Sequence, residues 1–190
     1  MEEKIRLGFA MCGSFCSLNS VIQRLSELAG KYDIIPIMSG ITYDTDTRFG
    51  TAQDFRKRVS DATGREIIHT VTQAEPIGPE KLLDAMVIAP CTGNTLAKLA
   101  NGITDTSVTM AAKAHLRNGR PLIIALSTND ALSGSAKNIG MLMNYRNVYF
   151  VPISQDNPLN KERSCVADMS LIDETVTSSL EGIQLQPMIK

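Results

Sequence analysis

The chain has 190 residues, of which 43% are hydrophobic and 21% are charged, a composition typical of globular proteins that argues against disorder or a coiled coil. The formal net charge is −1, and only 5% of the residues are aromatic. These values give no general attraction to phosphate backbones or anionic lipids, so neither nucleic acid nor a membrane is expected as a partner.

Apolar runs alternate with helical spacing along the chain, which predicts strands alternating with helices. The predicted strands cover residues 4–10, 33–38, 67–70, 85–89, 122–126 and 147–151. The predicted helices cover residues 18–29, 51–63, 95–100, 106–117, 131–143 and, after a cap at Asp168, residues up to about 180. Residues 39–50 and 74–79 are predicted to be loops because they are polar or rich in proline and glycine.

The predicted strands at residues 85–89 and 122–126 are apolar throughout. Such strands between helices indicate a parallel sheet that is covered on both faces. No internal repeat, low-complexity tract or linker divides the chain. We therefore predict a single doubly wound α/β domain over residues 1–190.

The cysteines and histidines show no metal-binding spacing; they are Cys12, Cys16, Cys91, Cys165, His69 and His115. We expect no metal, no disulfide framework and thiols that are mostly buried. The amino-terminal residues lack the long apolar region of a secretory signal, and no segment is long enough to span a bilayer. A cytoplasmic protein is therefore predicted. His115 is expected on the polar side of its helix, without a specific role.

Small polar residues follow four of the predicted strands, and the carboxyl ends of parallel strands share one edge of a sheet. These residues are Gly13 and Ser14, then Ser39, then Cys91, Thr92, Gly93, Asn94 and Thr95, and finally the Ser127–Asn129 segment. Helix N-termini beside such loops favour an anion, and the hydroxyls of Ser14, Ser39 and Thr95 can donate to a phosphate. Any one loop can be explained by helix capping alone, but four loops at one edge predict a site for a phosphate-bearing cofactor.

The most specific pattern is residues 84–105, which read DAMVIAPCTGNTLAKLANGITD. This segment resembles the signature of the homo-oligomeric flavin-containing cysteine decarboxylases, a flavoprotein family. The resemblance implies a flavodoxin-like (Rossmann-like) sheet, FMN as cofactor and a homo-oligomer. It also implies that Gly13, Ser14 and Ser39 contact the flavin phosphate and that Asn129 contacts the substrate. A nicotinamide nucleotide such as NADP would use much the same geometry, so it remains the alternative cofactor.

Further segments narrow the resemblance to a B-subunit branch of this family and extend it over almost the whole chain. They are residues 45–50 (TDTRFG), 74–79 (AEPIGP), 127–132 (STNDAL), 166–169 (VADM) and 184–187 (QLQP). The resemblance implies an oxidoreductase subunit that works with an NAD(P)-dependent A subunit during sporulation. The implied reaction forms pyridine-2,6-dicarboxylate from a dihydrodipicolinate-derived precursor.

A dicarboxylate substrate needs cationic donors, and Arg48, in a polar loop near the predicted site, is the first candidate. Lys161 and Arg163 come next. Related decarboxylases have a catalytic histidine shortly before the apolar strand, where this chain has residues 76–80 (PIGPE), so the catalytic residues stay unassigned. The alternatives are an FMN-dependent decarboxylase of a cysteinyl substrate and a non-catalytic partner subunit.

Overall fold

The computed structural model describes residues 4–190, so the prediction for residues 1–3 lies outside the described residues. The strands are β1 (Arg6–Met11), β2 (Asp33–Met38), β3 (Ala85–Cys91), β4 (Leu122–Thr128), β5 (Val148–Phe150), β6 (Ile153–Gln155) and β7 (Cys165–Ala167). The helices are α1 (Phe15–Leu28), α2 (Gly40–Asp44), α3 (Ala52–Thr63), α4 (Val71–Ala74), α5 (Gly93–Ala100), α6 (Ser107–Leu116), α7 (Ala136–Met143) and α8 (Ile172–Leu180). Short 3₁₀ turns at Glu75–Ile77 and Met169–Leu171 lead out of α4 and into α8.

Five strands pair in parallel in the order β2-β1-β3-β4-β5, which confirms the predicted doubly wound, flavodoxin-like sheet. β5 pairs with the first half of β4. The last two residues of β4, Ser127 and Thr128, pair antiparallel with β7, which in turn pairs antiparallel with β6. The β6–β7 hairpin therefore extends the sheet beyond the carboxyl end of β4.

The centre of the sheet is buried because its strands are apolar on both faces. Every residue of β3 is buried, and Ile123 and Ile124 of β4 have no exposed surface. The chain leaves β1 toward β2 and leaves β3 toward β4, which are opposite directions across the sheet. Since parallel crossovers are right-handed, α1 and α6 cover opposite faces. No helix within residues 4–190 has the length and apolar content needed to cross a membrane.

Several predicted boundaries need correction, each for a local reason. Residues 39–50 are not one loop, because residues 40–44 form α2 and bury Thr42. Residues 67–70 are not a strand, because only Ile68 bridges β2 before Thr70 begins α4 with a capping box. The loop predicted at 74–79 contains the end of α4 and a 3₁₀ turn. The helix predicted at 131–143 begins only at Ala136, because the preceding backbone turns around Asp130.

The strand order reverses between β1 and β3, since the chain passes from β1 to β2 on one side and reaches β3 on the other. Ligands of open α/β sheets bind outside the carboxyl ends of the strands at such a switch point. Here that edge is formed by the residues after Met11, Met38, Cys91 and Thr128. The fold thus places all four polar loops on one side of the molecule.

Candidate functional site

Two adjoining cavities lie at this edge, and both are lined by Gly13, Thr92 and Asn94. The first, called here the Ser127 cavity, has a volume of about 720 Å³ and lies beside the loops after β1 and β4. The second, called the Ser39 cavity, has a volume of about 680 Å³ and lies beside the loop after β2. The predicted loops therefore do meet, but they line two connected spaces.

Three serine hydroxyls form a cluster on the wall of the Ser127 cavity. The Oγ atom of Ser127 lies 2.9 Å from that of Ser14 and 3.1 Å from that of Ser17. Ser14 is the N-cap residue of α1, yet its side chain makes no capping hydrogen bond and turns to the cluster instead. In the first turn of α1 the Ser17 N–H donates to the Ser14 carbonyl at 3.1 Å, and the Ser14 side chain occupies none of the N–H groups that a helix start leaves to a ligand.

Arg48 lies at the rim of the Ser127 cavity, at the tip of a tight turn. The turn is closed by reciprocal backbone hydrogen bonds between Thr47 and Gly50, at 3.0 and 3.2 Å. Asn19 of α1 donates to the carbonyl of Phe49, and the guanidinium of Arg48 lies 4.8 Å from the Phe49 ring centroid. The structure thus holds this exposed arginine beside the cavity without an ion pair to another described residue.

Asp130 organises the loop after β4. Its Oδ1 atom accepts hydrogen bonds from the Thr128 hydroxyl at 2.6 Å and the Ser135 hydroxyl at 2.8 Å. These two hydroxyls, Thr128 first, hold the pKa of Asp130 below its ordinary value. The loop packs so closely on Gly93 that a Cβ there would lie 2.7–2.9 Å from the three oxygens. Gly93 therefore lets the loops after β3 and β4 meet.

Asn129 is exposed and lines the Ser127 cavity. The segment between β6 and β7 also lines the cavity, with Asp156, Lys161 and Ser164. Lys161 forms an ion pair with Asp156 at 3.0 Å. Since Arg163 is exposed and does not line the cavity, the cations at this cavity are Arg48 and Lys161 among the described residues.

The Ser39 hydroxyl lines the Ser39 cavity and is supported from behind by Thr42. Ser39 Oγ lies 2.8 Å from Thr42 Oγ1, and the two residues are 7% and 0% exposed. The hydroxyl of Ser107 also lines the cavity but donates to the carbonyl of Met38 at 2.6 Å. The sequence indicated Ser39; Thr42 does not line the cavity, and α2 holds its hydroxyl against that of Ser39.

Thr95 lines the Ser39 cavity, whereas Cys91 does not. The Thr95 hydroxyl donates to the Cys12 thiol at 3.2 Å and receives a hydrogen bond from Thr92. Cys91 has no exposed surface and lines neither cavity. Burial raises the pKa of Cys91 well above its ordinary value and that of Cys12 to about 11, so both thiols are neutral packing groups. The structure therefore does not bring Cys91 together with the other candidates.

Two histidines are placed differently from each other. His69 lines the Ser39 cavity, although nothing in its sequence neighbourhood indicated this. His115 is fully buried, which corrects its predicted position on the polar side of α6. Burial lowers the pKa of His115 to about 4. Its Nε2 lies 2.9 Å from the carbonyl of Pro121, and its Nδ1 has no hydrogen-bond partner.

The segment that stands where related decarboxylases have a histidine packs on the core. Ile77 has no exposed surface, and a Cβ on Gly78 would lie 2.8 Å from the Ala114 carbonyl of α6. Asn118 donates to the Gly78 carbonyl at 3.0 Å. Residues 76–80 line neither cavity, so this segment presents no acid or base to the site.

Comparison with known proteins agrees with this geometry. The family model described as Flavoprotein matches residues 1–183. The dipicolinate synthase B subunit of Bacillus subtilis (strain 168) is 43% identical over 185 residues, which cover 97% of this chain and 92% of the relative. Both likenesses extend through the four loops that line the cavities.

Solved structures also include a dipicolinate synthase B subunit that is similar to this chain. The crystal structure of the dipicolinate synthase B subunit from Bacillus halodurans C matches with a TM-score of 0.90 at 40% identity, covering 98% of this chain and 96% of that chain. The FMN-dependent cysteine decarboxylase SpaF matches with a TM-score of 0.68 at 21% identity, covering 93% of this chain and 96% of that one. The second likeness concerns the fold alone.

Proposed function

The chain belongs to the Flavoprotein family, and from this premise we propose that it is the flavin-binding B subunit of a dipicolinate synthase. The observation that carries the proposal is the likeness to the Bacillus subtilis B subunit along 97% of the chain. In this proposal the chain forms pyridine-2,6-dicarboxylate from a dihydrodipicolinate-derived precursor during sporulation, together with an NAD(P)-dependent A subunit. The four cysteines form no disulfide, which supports a reducing, cytoplasmic location.

FMN is the proposed cofactor, and the residues at the sheet edge fit it. Each cavity has a volume within the range of about 300–1,000 Å³ that is typical of ligand sites. The Ser39 hydroxyl suits a phosphate, because it lines the cavity and its partner among the described residues is the Thr42 hydroxyl behind it. The hydroxyl cluster around Ser127 and the amide of Asn94 can orient the polar parts of the flavin. When bound, FMN would supply two-electron redox chemistry.

NADP is the alternative cofactor, because phosphate recognition at a sheet edge is similar for both nucleotides. The sequence contains no Gly-x-Gly-x-x-Gly segment after β1, where Met11-Cys12-Gly13-Ser14 stands instead. This departure favours a flavin over a dinucleotide.

The Ser127 cavity is the proposed site of the dicarboxylate. Arg48 can supply a planar pair of donors to one carboxylate, and Asn129 can donate to the other. The carboxylates of Asp130 and Asp156 already have hydrogen-bonding partners, so the ligand does not have to carry a positive charge to stabilise them. In this assignment the chain binds and orients a small dianion next to the flavin.

Two further functions remain as alternatives. An FMN-dependent decarboxylase of a cysteinyl substrate is disfavoured because residues 76–80 provide no histidine at the cavities. A non-catalytic partner subunit is disfavoured because both cavities and their hydroxyls are intact. We further propose that the chain forms a homo-oligomer, as the family resemblance implies.

The test uses the purified chain with and without the A subunit. We expect FMN to bind with saturable quenching of its fluorescence, and we expect little pyridine-2,6-dicarboxylate from this chain alone. Addition of the A subunit should restore product formation, measured by chromatography. Clear NADP binding without FMN binding would overturn the flavin assignment, and full activity of the isolated chain would overturn the two-subunit assignment. Release of CO₂ from a cysteine-ending peptide would favour the decarboxylase.

A further inference from the structure

His69 reaches the Ser39 cavity because the chain before it runs beside the end of β2. Ile68 donates its N–H to the carbonyl of Pro36 at 3.0 Å, and its own carbonyl accepts from Met38 N–H at 2.8 Å. These bonds form a parallel bridge at the strand end. His69, which follows Ile68, therefore lies beside Met38, and both His69 and Ser39 line the Ser39 cavity.

The imidazole of His69 is held in a defined orientation. Its ring stacks on Tyr43 with centroids 3.8 Å apart and planes 5° from parallel. Nδ1 lies 3.1 Å from the carbonyl of Ile67, and since a carbonyl only accepts, Nδ1 carries a proton. Within residues 4–190 the second ring nitrogen, Nε2, has no hydrogen-bond partner. The structure thus leaves one ring nitrogen available to a ligand in this cavity.

The other titratable and charged groups near His69 either have a bonding partner already or are neutral. Lys98 lines the cavity but forms an ion pair with Asp105 at 2.7 Å. Arg56 lies over the Tyr43 ring, 4.6 Å from its centroid, and donates to the Tyr43 carbonyl. Because His69 also stacks closely on the Tyr43 ring, His69 and Arg56 lie on opposite faces of that ring. The Cys12 thiol is neutral, because burial raises its pKa to about 11. Among the described residues, a phosphate in this cavity would therefore find no other positively charged side chain that lacks a partner.

We propose that His69 is the counter-charge for the phosphate group of the flavin bound beside Ser39. The inference rests on the proposed function, because it needs FMN in the site. A phosphate dianion favours the protonated imidazole, whose Nε2–H then donates a charge-assisted hydrogen bond. The bond from Nδ1–H to Ile67 is unchanged by this protonation, so the ring keeps its orientation. The role is that of a phosphate-binding residue that responds to pH.

This role predicts that the affinity for FMN depends on pH and that the affinity for riboflavin does not, because riboflavin has the same ring and ribityl chain without the phosphate. FMN affinity should be lower at about pH 8.5 than at about pH 6.5, because a neutral imidazole whose one N–H is held by the Ile67 carbonyl has none to donate to the phosphate. Riboflavin affinity should stay level over the same range. The difference between the two flavins removes any pH effect that acts on the ring itself.

The experiment measures the dissociation constants of FMN and riboflavin by fluorescence quenching at both pH values. The proteins compared are the unmodified chain, His69→Gln, and Lys137→Gln as a control that removes an exposed cation lining neither cavity. His69→Gln should weaken FMN binding by about tenfold at the lower pH and much less at the higher pH, because it removes one hydrogen bond to a charged group. It should leave riboflavin binding unchanged, as should Lys137→Gln for both ligands.

Equal weakening of FMN and riboflavin by His69→Gln would overturn the inference, because it would indicate a role in cavity shape. FMN affinity of the unmodified chain that does not change between the two pH values would also overturn it, even if the variant failed to fold. Both of these outcomes leave the proposed function intact. Failure of the unmodified chain to bind either flavin would instead remove the proposed function, and this inference with it.

Discussion

The hydroxyl oxygen of Ser14 lies 2.9 Å from that of Ser127, which joins the loop after β1 to the carboxyl end of β4 across 113 residues of sequence. Ser17 completes the cluster at 3.1 Å from Ser127. Each hydroxyl oxygen has two lone pairs and one proton, so the three contacts within the cluster leave accepting capacity on its oxygens. The cluster therefore retains hydrogen-bonding capacity toward a ligand in the Ser127 cavity.

Replacement of Ser14 or Ser127 by alanine should weaken FMN binding by about 0.5–1.5 kcal/mol for each neutral hydrogen bond lost. The double variant should lose less than the sum of the two single losses, because the two hydroxyls share one hydrogen bond. Fluorescence titration of the three variants gives this coupling. Ser20→Ala is the control, since Ser20 is exposed on α1 and donates to a backbone carbonyl. Unchanged affinity in all three variants would place the flavin away from the cluster.

Gly93→Ala should destabilise the fold, because the new Cβ would lie 2.7 Å from Ser135 Oγ, 2.8 Å from Thr128 Oγ1 and 2.9 Å from Asp130 Oδ1. We expect a loss of about 1–3 kcal/mol in the free energy of unfolding, as for other overpacked positions. Urea denaturation measures it. FMN affinity should fall as well, since the loops after β3 and β4 must separate.

Gly140→Ala in α7 is the matched control for this steric effect. A Cβ at Gly140 meets no atom within 4 Å, and alanine is favoured over glycine inside a helix by about 0.5–1 kcal/mol. This variant should therefore be as stable as the unmodified chain or more stable. If the two alanine variants had equal stability, the close contact at Gly93 would not limit the fold.

His115 should make the fold less stable in mild acid. Burial lowers its pKa from 6.5 to about 4, so the unfolded chain binds the proton at a higher pH than the folded chain does. The stability contribution is complete above pH 6.5 and is lost as the pH falls toward 4. The loss is limited to about 3 kcal/mol, since one pKa unit corresponds to about 1.4 kcal/mol.

The measurement is the free energy of unfolding by urea at several pH values between these limits. His115→Gln keeps a donor toward the Pro121 carbonyl but has no proton to gain, so its stability should depend less on pH. His69→Gln serves as the control, because His69 is only half-buried. Identical pH dependence in His115→Gln and the unmodified chain would contradict the assignment.

The sequence was sufficient to predict the central sheet, because continuous apolar runs such as residues 85–89 occur where a strand is buried on both faces. It was also sufficient to predict that the small polar loops share one edge, since this follows from parallel pairing. β6 and β7 were missed because each has three residues and is stabilised by pairing near β4 more than by its own pattern.

The missed site residues depend on contacts that no local pattern encodes. Thr42 supports Ser39 because a five-residue helix turns its hydroxyl onto that residue, and His69 enters the site because Ile68 bridges to Ile37. Cys91 was predicted at the site from its position in the loop, but its side chain packs below the sheet edge. Strand ends show where a site lies, whereas the direction of each side chain depends on tertiary packing.

Arg48 should determine affinity for the dicarboxylate. The turn closed by Thr47 and Gly50 holds it at the rim of the Ser127 cavity, and Asn19 ties that turn to α1. A carboxylate that leaves water needs paired donors, and the guanidinium offers two in a fixed plane that a lysine cannot reproduce. Arg48→Lys should therefore weaken substrate binding by about 1.5–3 kcal/mol, which raises the Michaelis constant roughly ten- to a hundredfold.

Steady-state kinetics of the two-subunit enzyme, with the precursor varied, tests this expectation. FMN affinity should stay nearly the same, because Arg48 does not line the Ser39 cavity. Arg146→Lys is the matched control, since this arginine is exposed and lines neither cavity. Unchanged kinetics in both Arg48→Lys and Arg48→Ala would show that Arg48 is a solvated surface residue. Lys161 would then be the next cation to test, because it lines the same cavity and is held only by its ion pair with Asp156.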